Sequence, residues 1–183
     1  WNNLPEEDGR RIMLGWMSNW LYANDIPTDP WRSAMAVPRT IHLETIEENL
    51  KLVQRPVDEL QTLRENHVFA DNISITDEAK SLQDLGISGK SYEFVVELEP
   101  GDANVVGFKL REGENEETLV GYDAVDGTVF VDRTNSGEDD FHEDFAQRND
   151  APARLIEGKI KLHVFVDWSS VEVFVNDGEA TIT

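Results

Sequence analysis

One segment of the sequence combines aromatic rings with amide side chains and could therefore bind a sugar. It runs from Gly15 to Asn24 and reads Gly-Trp-Met-Ser-Asn-Trp-Leu-Tyr-Ala-Asn. The C–H faces of a sugar ring pack on indole and phenol rings, while amide groups hydrogen-bond the sugar hydroxyls. Trp20 lies past the end of a predicted strand, where loops commonly carry function, so it is a candidate for stacking on a sugar.

Core packing is the alternative role for the tryptophans of this region. Trp16 lies inside the predicted strand and Trp31 follows Pro30, so we expect both rings to belong to the core. For Trp20, core packing and sugar contact both remain open.

Other chemistries have weak signals. The histidines are scattered without a His-x-x-x-His pair and there is no Cys, so no metal site is predicted. The acidic run 138–144 lacks the spacing of a calcium loop, and we interpret it as a solvated loop. A Gly-x-Ser-x-Gly motif and the glycine-rich phosphate loops are also missing, which argues against a serine hydrolase and a nucleotide cofactor. We expect no cofactor. The four histidines are His42, His67, His142 and His163.

Charge restricts the partners. The 183 residues include 37 acidic and 16 basic side chains, a formal net charge of −21. Such a surface repels phosphate backbones and anionic lipid headgroups, so neither nucleic acid nor a membrane is an expected partner, whereas neutral sugars are compatible. The negative charge favours a secreted protein but leaves the compartment open.

The first third of the chain predicts strands and one short helix. Arg11–Met17 has the pattern of a buried strand, and further strands are predicted at Ala34–Val37, Thr40–Glu44 and Leu50–Arg55. Val57–Arg64 has apolar residues at helical spacing and predicts a connecting helix.

The rest of the chain predicts antiparallel strands. Between Tyr92 and Leu98 apolar and polar residues alternate, as in a strand with one buried face. The predicted strands Lys159–Asp167 and Ser170–Asn176 should form a hairpin. An Asn-Asp-Gly turn after them should return the chain along Glu179–Thr183. These strands predict a β-sandwich from about residue 66. The further predicted strands are Val105–Arg111, Thr118–Asp123, Thr128–Asp132, Lys159–Asp167 and Ser170–Asn176.

Several motifs, in order along the whole chain, resemble glycoside hydrolase family 32, the levanases, inulinases and invertases. Residues 15–20, 26–35 and 38–39 resemble the last blade of the family's propeller, and the segment Gln54-Arg55-Pro56-Val57 resembles its linker. Residues 132–137 and 169–179 resemble its C-terminal sandwich. The resemblance implies an all-β fold, a β-sandwich preceded by the last-blade strands of a five-bladed β-propeller. It divides the chain into a remnant blade (1–44), a linker with a short helix (45–65) and a sandwich truncated at its end (66–183).

This resemblance implies the C-terminal part of a retaining β-fructofuranosidase acting on fructans or sucrose. The family's two catalytic Asp and one Glu belong to motifs that this sequence lacks, so no catalytic residue is expected in the chain, which should be inactive alone. Trp20, with Asn19, is expected at the rim of the fructosyl pocket. The implied partners are the sugar, bound by the intact enzyme, and the missing propeller, without which the chain should self-associate.

Two other classes of function remain open. The chain could be a carbohydrate-binding module that stacks sugars on Trp20, Tyr22 or Trp168, or a structural sandwich that forms homo-oligomers. Trp168 stands where the family resemblance places an Arg, so we expect an ion pair to be lost or replaced by packing there.

Overall fold

The chain folds almost entirely into antiparallel strands. A computed structural model describes residues 9–76 and 78–183, and these ranges contain thirteen β-strands and three short 3-10 helices. The predicted all-β class is therefore confirmed. Residues 1–8, which begin the predicted blade segment and include Trp1, lie outside the described residues, as does Asp77. In the described ranges no helix has the length and hydropathy that crossing a bilayer requires.

The N-terminal strands form two small sheets. In one, β4 lies between β1 and β5, and in the other β2 pairs with β3. The strand predicted over Arg11–Met17 is divided because its two halves pair with different partners: Ile12 lies opposite Thr40, whereas Trp16 lies opposite Met35. The strands are β1 (Ile12–Met13), β2 (Trp16–Met17), β3 (Ala34–Met35), β4 (Arg39–Ile46) and β5 (Asn49–Pro56).

The C-terminal strands form a sandwich of two four-stranded sheets, with strand orders β10-β9-β8-β7 and β13-β12-β11-β6. Inward-facing side chains of both sheets make one apolar core. The strands are β6 (Tyr92–Leu98), β7 (Val105–Leu110), β8 (Glu117–Asp123), β9 (Thr128–Asn135), β10 (Arg148–Pro152), β11 (Ile160–Val166), β12 (Val171–Val175) and β13 (Ala180–Ile182).

The alternation of apolar and polar residues along the strands predicted this sandwich well. Along β11, Ile160, Leu162, Val164 and Val166 are buried and the residues between them are partly exposed. β10 was missed because its sequence, Arg-Asn-Asp-Ala-Pro, is polar and largely exposed, and only its pairing with β9 identifies it.

The connection between the two regions is largely irregular. The predicted helix is a 3-10 helix over Asp58–Leu63, and a second 3-10 helix spans Leu82–Leu85. The first strand of the sandwich begins at Tyr92.

The β4–β5 hairpin packs on the outer face of the sheet that contains β12. There the Nη2 of Arg39 lies 2.6 Å from the Oε2 of Glu172, and both side chains are about 5% exposed. The other carboxylate oxygen of Glu172 accepts a hydrogen bond from the backbone N–H of Val37. The Arg39 guanidinium also donates to Gln54 and lies 4.9 Å from the centre of the Phe174 ring. The ion pair is therefore enclosed by both regions of the chain.

Burial acts on both charged groups of this pair. Loss of solvent raises the pKa of Glu172, although Val37 and Arg39 oppose the shift. The same loss lowers the pKa of Arg39, against the attraction of the carboxylate. Each group thus offsets part of the cost of burying the other.

We predict that Glu172→Gln lowers the free energy of unfolding by about 3–5 kcal/mol, because it leaves the Arg39 charge buried without a counter-charge. Urea unfolding of the 183-residue chain measures the loss. The double variant Arg39→Met/Glu172→Leu should recover much of it, since neither charge is then buried.

Lys51→Met is the matched control. It breaks the ion pair of Lys51 with Glu179, which also joins hairpin and sandwich, but Lys51 is 40% exposed. Its expected cost is about 1 kcal/mol or less. Equal losses for Glu172→Gln and Lys51→Met would contradict a special role for the buried pair.

Candidate functional site

The loop between β2 and β3 carries the candidate sugar-binding residues. Trp20 is 89% exposed, and its ring centre lies 4.9 Å from that of Trp16 at an interplanar angle of 57°. A turn supports it: the backbone N–H of Tyr22 donates to the carbonyl of Asn19, and that of Asp25 to the carbonyl of Tyr22. The indole of Trp20 thus rests against Trp16 and presents most of its surface to solvent.

Asn19 is exposed beside Trp20 and helps to shape the turn. Its Oδ1 accepts a hydrogen bond of 2.9 Å from the backbone N–H of Leu21. This use of the side chain is typical of Asx turns. The amide NH₂ group of Asn19 is the part of the side chain that can donate to a sugar hydroxyl.

The prediction that Trp16 and Trp31 belong to the core is wrong for the described structure. They are 40% and 47% exposed, and the indole N–H of Trp16 donates to Ser33 Oγ at 2.6 Å. The reason is topological: β2 and β3 have two residues each and form a sheet of their own, separate from the three-stranded N-terminal sheet and the two sandwich sheets. Other exposed apolar side chains of this region are Leu14, Leu21 and Met35.

Tyr22 cannot serve as an open stacking platform, because it is only 5% exposed. Its ring lies against the sandwich loop that contains Phe141 and Phe145.

Trp168 is a different kind of exposed ring. It lies in the turn between β11 and β12, is 63% exposed, and has the Nζ of Lys90 at 4.0 Å from its ring centre. The backbone carbonyl of Trp168 accepts a hydrogen bond from Arg111. A cation therefore occupies one face of the indole, which leaves only the other face for a ligand.

A groove of about 180 Å³ lies where the Asp58–Leu63 helix meets the sandwich. Two arginines of its lining are paired: Arg64 with Glu93, which also lines the groove, and Arg55 with Glu44, which lies outside it. His163 lies here, with its Nε2 at 3.5 Å from the Glu93 carboxylate. Burial lowers the pKa of His163, and the attraction of Glu93 only partly offsets this. Over the described ranges, no group of three or more His, Asp or Glu side chains is arranged to hold a metal ion.

Family models match both regions of the chain. Residues 2–56 match the N-terminal domain of glycosyl hydrolases family 32, and residues 59–183 match the C-terminal domain of the same family. The chain therefore belongs to glycosyl hydrolase family 32, as its motifs indicated. The N-terminal strands are last-blade strands of a propeller, and the sandwich follows them.

The proteins similar to this chain include a levanase and an exo-inulinase. The chain is 47% identical to a levanase of Bacillus subtilis over 186 residues, which cover 100% of the chain and 27% of that protein. It is 38% identical to an extracellular exo-inulinase of Aspergillus awamori, covering 100% of the chain and 34% of that protein. A crystal structure of the Aspergillus awamori exo-inulinase superposes with a TM-score of 0.78 at 34% identity, covering 93% of this chain and 34% of that one. The chain thus spans about a third or less of these relatives.

We predict that His163 makes the chain less stable in acid. Because folding lowers the pKa of His163, this residue binds more protons in the unfolded than in the folded chain as the pH falls through about 6.5. Stability due to neutral His163 is therefore present at higher pH and is lost on acidification. His163→Gln should reduce the fall in Tm between about pH 7.5 and about pH 5.5.

The control is His67→Gln, since His67 is exposed. It should leave the fall in Tm unchanged. The quantity compared is the difference in Tm between the two pH values. A general loss of stability in His163→Gln lowers Tm at both pH values and does not affect this difference. An identical fall in the parent chain and His163→Gln would refute the prediction.

Proposed function

We propose that the chain is the C-terminal part of a retaining β-fructofuranosidase that hydrolyses fructans or sucrose-type sugars. The observation that carries this proposal is the exposed Trp16–Trp20 pair on a chain related over its whole length to levanase and exo-inulinase. A neutral sugar also agrees with the net charge of −21, which disfavours anionic ligands.

In this proposal Trp20 stacks on the sugar and Asn19 hydrogen-bonds it at the rim of the fructosyl pocket. Support comes from the exposed indole and from the amide group beside it. The catalytic carboxylates belong to the rest of the propeller. A retaining mechanism needs two carboxyl groups about 5–5.5 Å apart in a pocket, and the family's catalytic motifs do not occur in this sequence.

The sandwich supports the propeller in the same proposal, with a blade segment over 1–44, a linker over 45–65 and the sandwich over 66–183. The exposed face of the β4–β5 hairpin carries Leu43, Leu50 and Leu52, which are 65%, 68% and 53% exposed. Leu43 lies directly opposite Leu52 in the register, and Leu50 follows on the same face. We assign this leucine face to the contact with the missing propeller, because an apolar patch rarely stays in water.

The test uses a chimera of the Bacillus subtilis levanase in which the segment aligned with this chain is replaced by it. We predict that the chimera releases fructose from levan and that the 183-residue chain alone does not. Trp20→Ala in the chimera should raise KM about three- to tenfold, because one aromatic contact is lost, and should change kcat less. Parallel assays with inulin and sucrose rank the substrates.

Trp168→Ala is the matched control, because it removes another exposed indole, from the β11–β12 turn, and should leave KM unchanged. A chimera that unfolds cooperatively but releases no fructose would contradict the proposal. Calorimetric binding of levan by the chain, together with an inactive chimera, would instead support a carbohydrate-binding module.

We also predict that the leucine face makes the isolated chain self-associate. Replacing Leu43, Leu50 and Leu52 together by Thr keeps the strand propensity and removes most of the apolar surface. Analytical ultracentrifugation should then show a shift towards monomer. The control replaces Val95 and Val105, two exposed valines of the sandwich, by Thr. A shift in the control alone would favour an oligomer-forming sandwich, and a monomeric parent chain would contradict the prediction.

A further inference from the structure

The loop that carries Trp20 is attached to the sandwich through one buried side chain, Tyr22. We call the group that receives it the aromatic socket. Tyr22 lies two residues after Trp20 and is 5% exposed, whereas Trp20 is 89% exposed. The socket consists of Arg133, Phe141, His142 and Phe145.

The rings of the socket surround Tyr22 on several sides. Phe145 and Phe141 meet the Tyr22 ring edge-on, with ring centres 5.6 Å and 6.1 Å away, and His142 lies at 5.7 Å. Phe141 and Phe145 also pack on each other at 4.5 Å. Edge-to-face contacts at these distances are favourable and depend on geometry, so they hold the Tyr22 ring in one orientation.

Arg133 adds a polar contact to the socket. Its Nη2 donates a 2.9 Å hydrogen bond to the hydroxyl oxygen of Tyr22, and its guanidinium lies 4.4 Å from the centre of the Phe145 ring. The backbone N–H of Arg133 donates to the carbonyl of Gln147, next to β10, so the residue is held at both ends. Its Nε is buried and, within the described residues, has no hydrogen-bond partner. A buried guanidinium that leaves one donor unused has a cost, which the contact with Tyr22 helps to offset.

Hydrogen bonds of the turn connect the buried Tyr22 to the exposed residues Asn19 and Trp20. The backbone N–H of Tyr22 donates to the carbonyl of Asn19, and the backbone N–H of Leu21 donates to the Asn19 side chain. The backbone on both sides of Trp20 is therefore linked to the buried Tyr22. The Trp20 ring lies against Trp16 and is otherwise largely exposed. Its position relative to the rest of the molecule therefore depends on where Tyr22 is seated.

We propose that Arg133, Phe141 and Phe145 are positioning residues for sugar binding. By fixing Tyr22 they set the place of the Trp20 indole, and hence the affinity for a furanose ring stacked on it. This inference rests on the proposed function of Trp20. It gives the sandwich a direct influence on the sugar site, from residues that do not touch the sugar.

Hydrogen exchange of the 183-residue chain tests the positioning itself. In Tyr22→Ala and Arg133→Ala, exchange over residues 19–25 should become at least about tenfold faster, because the turn loses its anchor. Exchange in β11 and β12, which lie in the other sheet from Arg133, should stay as slow as in the parent chain, which separates loss of the anchor from unfolding. Phe145→Leu keeps an apolar side chain in the socket and should retain most of the protection. Lys51→Ala breaks an ion pair between the β4–β5 hairpin and the sandwich and should leave exchange over residues 19–25 unchanged.

Kinetics of the levanase chimera test the link to the sugar. Tyr22→Phe and Arg133→Ala should raise KM for levan about two- to fivefold while kcat stays within about twofold, as expected when only binding is affected. A structural role alone would lower the fraction of active enzyme and would leave KM unchanged.

The outcomes separate the two proposals. Unchanged exchange over residues 19–25 in both Tyr22→Ala and Arg133→Ala overturns the inference. Faster exchange with unchanged KM also overturns it, provided that Trp20→Ala raises KM. If Trp20→Ala leaves KM unchanged in an active chimera, the sugar contact fails first and the inference falls with it.

Discussion

The ion pair of Arg39 and Glu172 is the contact on which the arrangement of the two regions depends. Both charges are nearly removed from water, which costs several kcal/mol for each ion unless partners replace the solvent. Here the carboxylate also accepts from Val37 and the guanidinium also donates to Gln54. These partners come from the hairpin and its approach, whereas Glu172 belongs to the sandwich. A placement of the hairpin that lost these partners would leave buried charge unpaired, so a polar contact that adds little net stability can still specify how the regions pack.

The alternation of side chains made the sandwich predictable. In β11 and β6 every second residue faces the core, and this period survives without knowledge of the partner strands. The predictions failed where pairing is set by distant residues. The segment 11–17 is divided because its first half pairs with β4 and its second half with β3. The polar residues of β10 form a strand because they pair with the edge of β9. The sequence of neither segment records its partner.

The candidate site was partly predictable for a similar reason. An indole past a strand end, beside an amide, was sufficient to select Trp20, and its exposure agrees with that choice. The aromatic socket was missed because the acidic run 138–144 was interpreted by its charge alone. Phe141 and Phe145 were the available signal: two aromatic residues in a solvated acidic loop need an apolar partner, and Tyr22 supplies it.

Two of the attachments of the N-terminal region, those of Glu172 and Arg133, lie on different sheets of the sandwich. Glu172 belongs to β12 in one sheet, and Arg133 belongs to β9 in the other. A single contact would let the blade segment rotate about it, whereas two contacts on opposite layers fix its direction as well as its distance. The core of the sandwich is close-packed and hardly deforms, so the separation of these two contacts is constant. For the proposed sugar site, such a rigid support would keep the Trp20 indole in the position that stacking on a ligand requires.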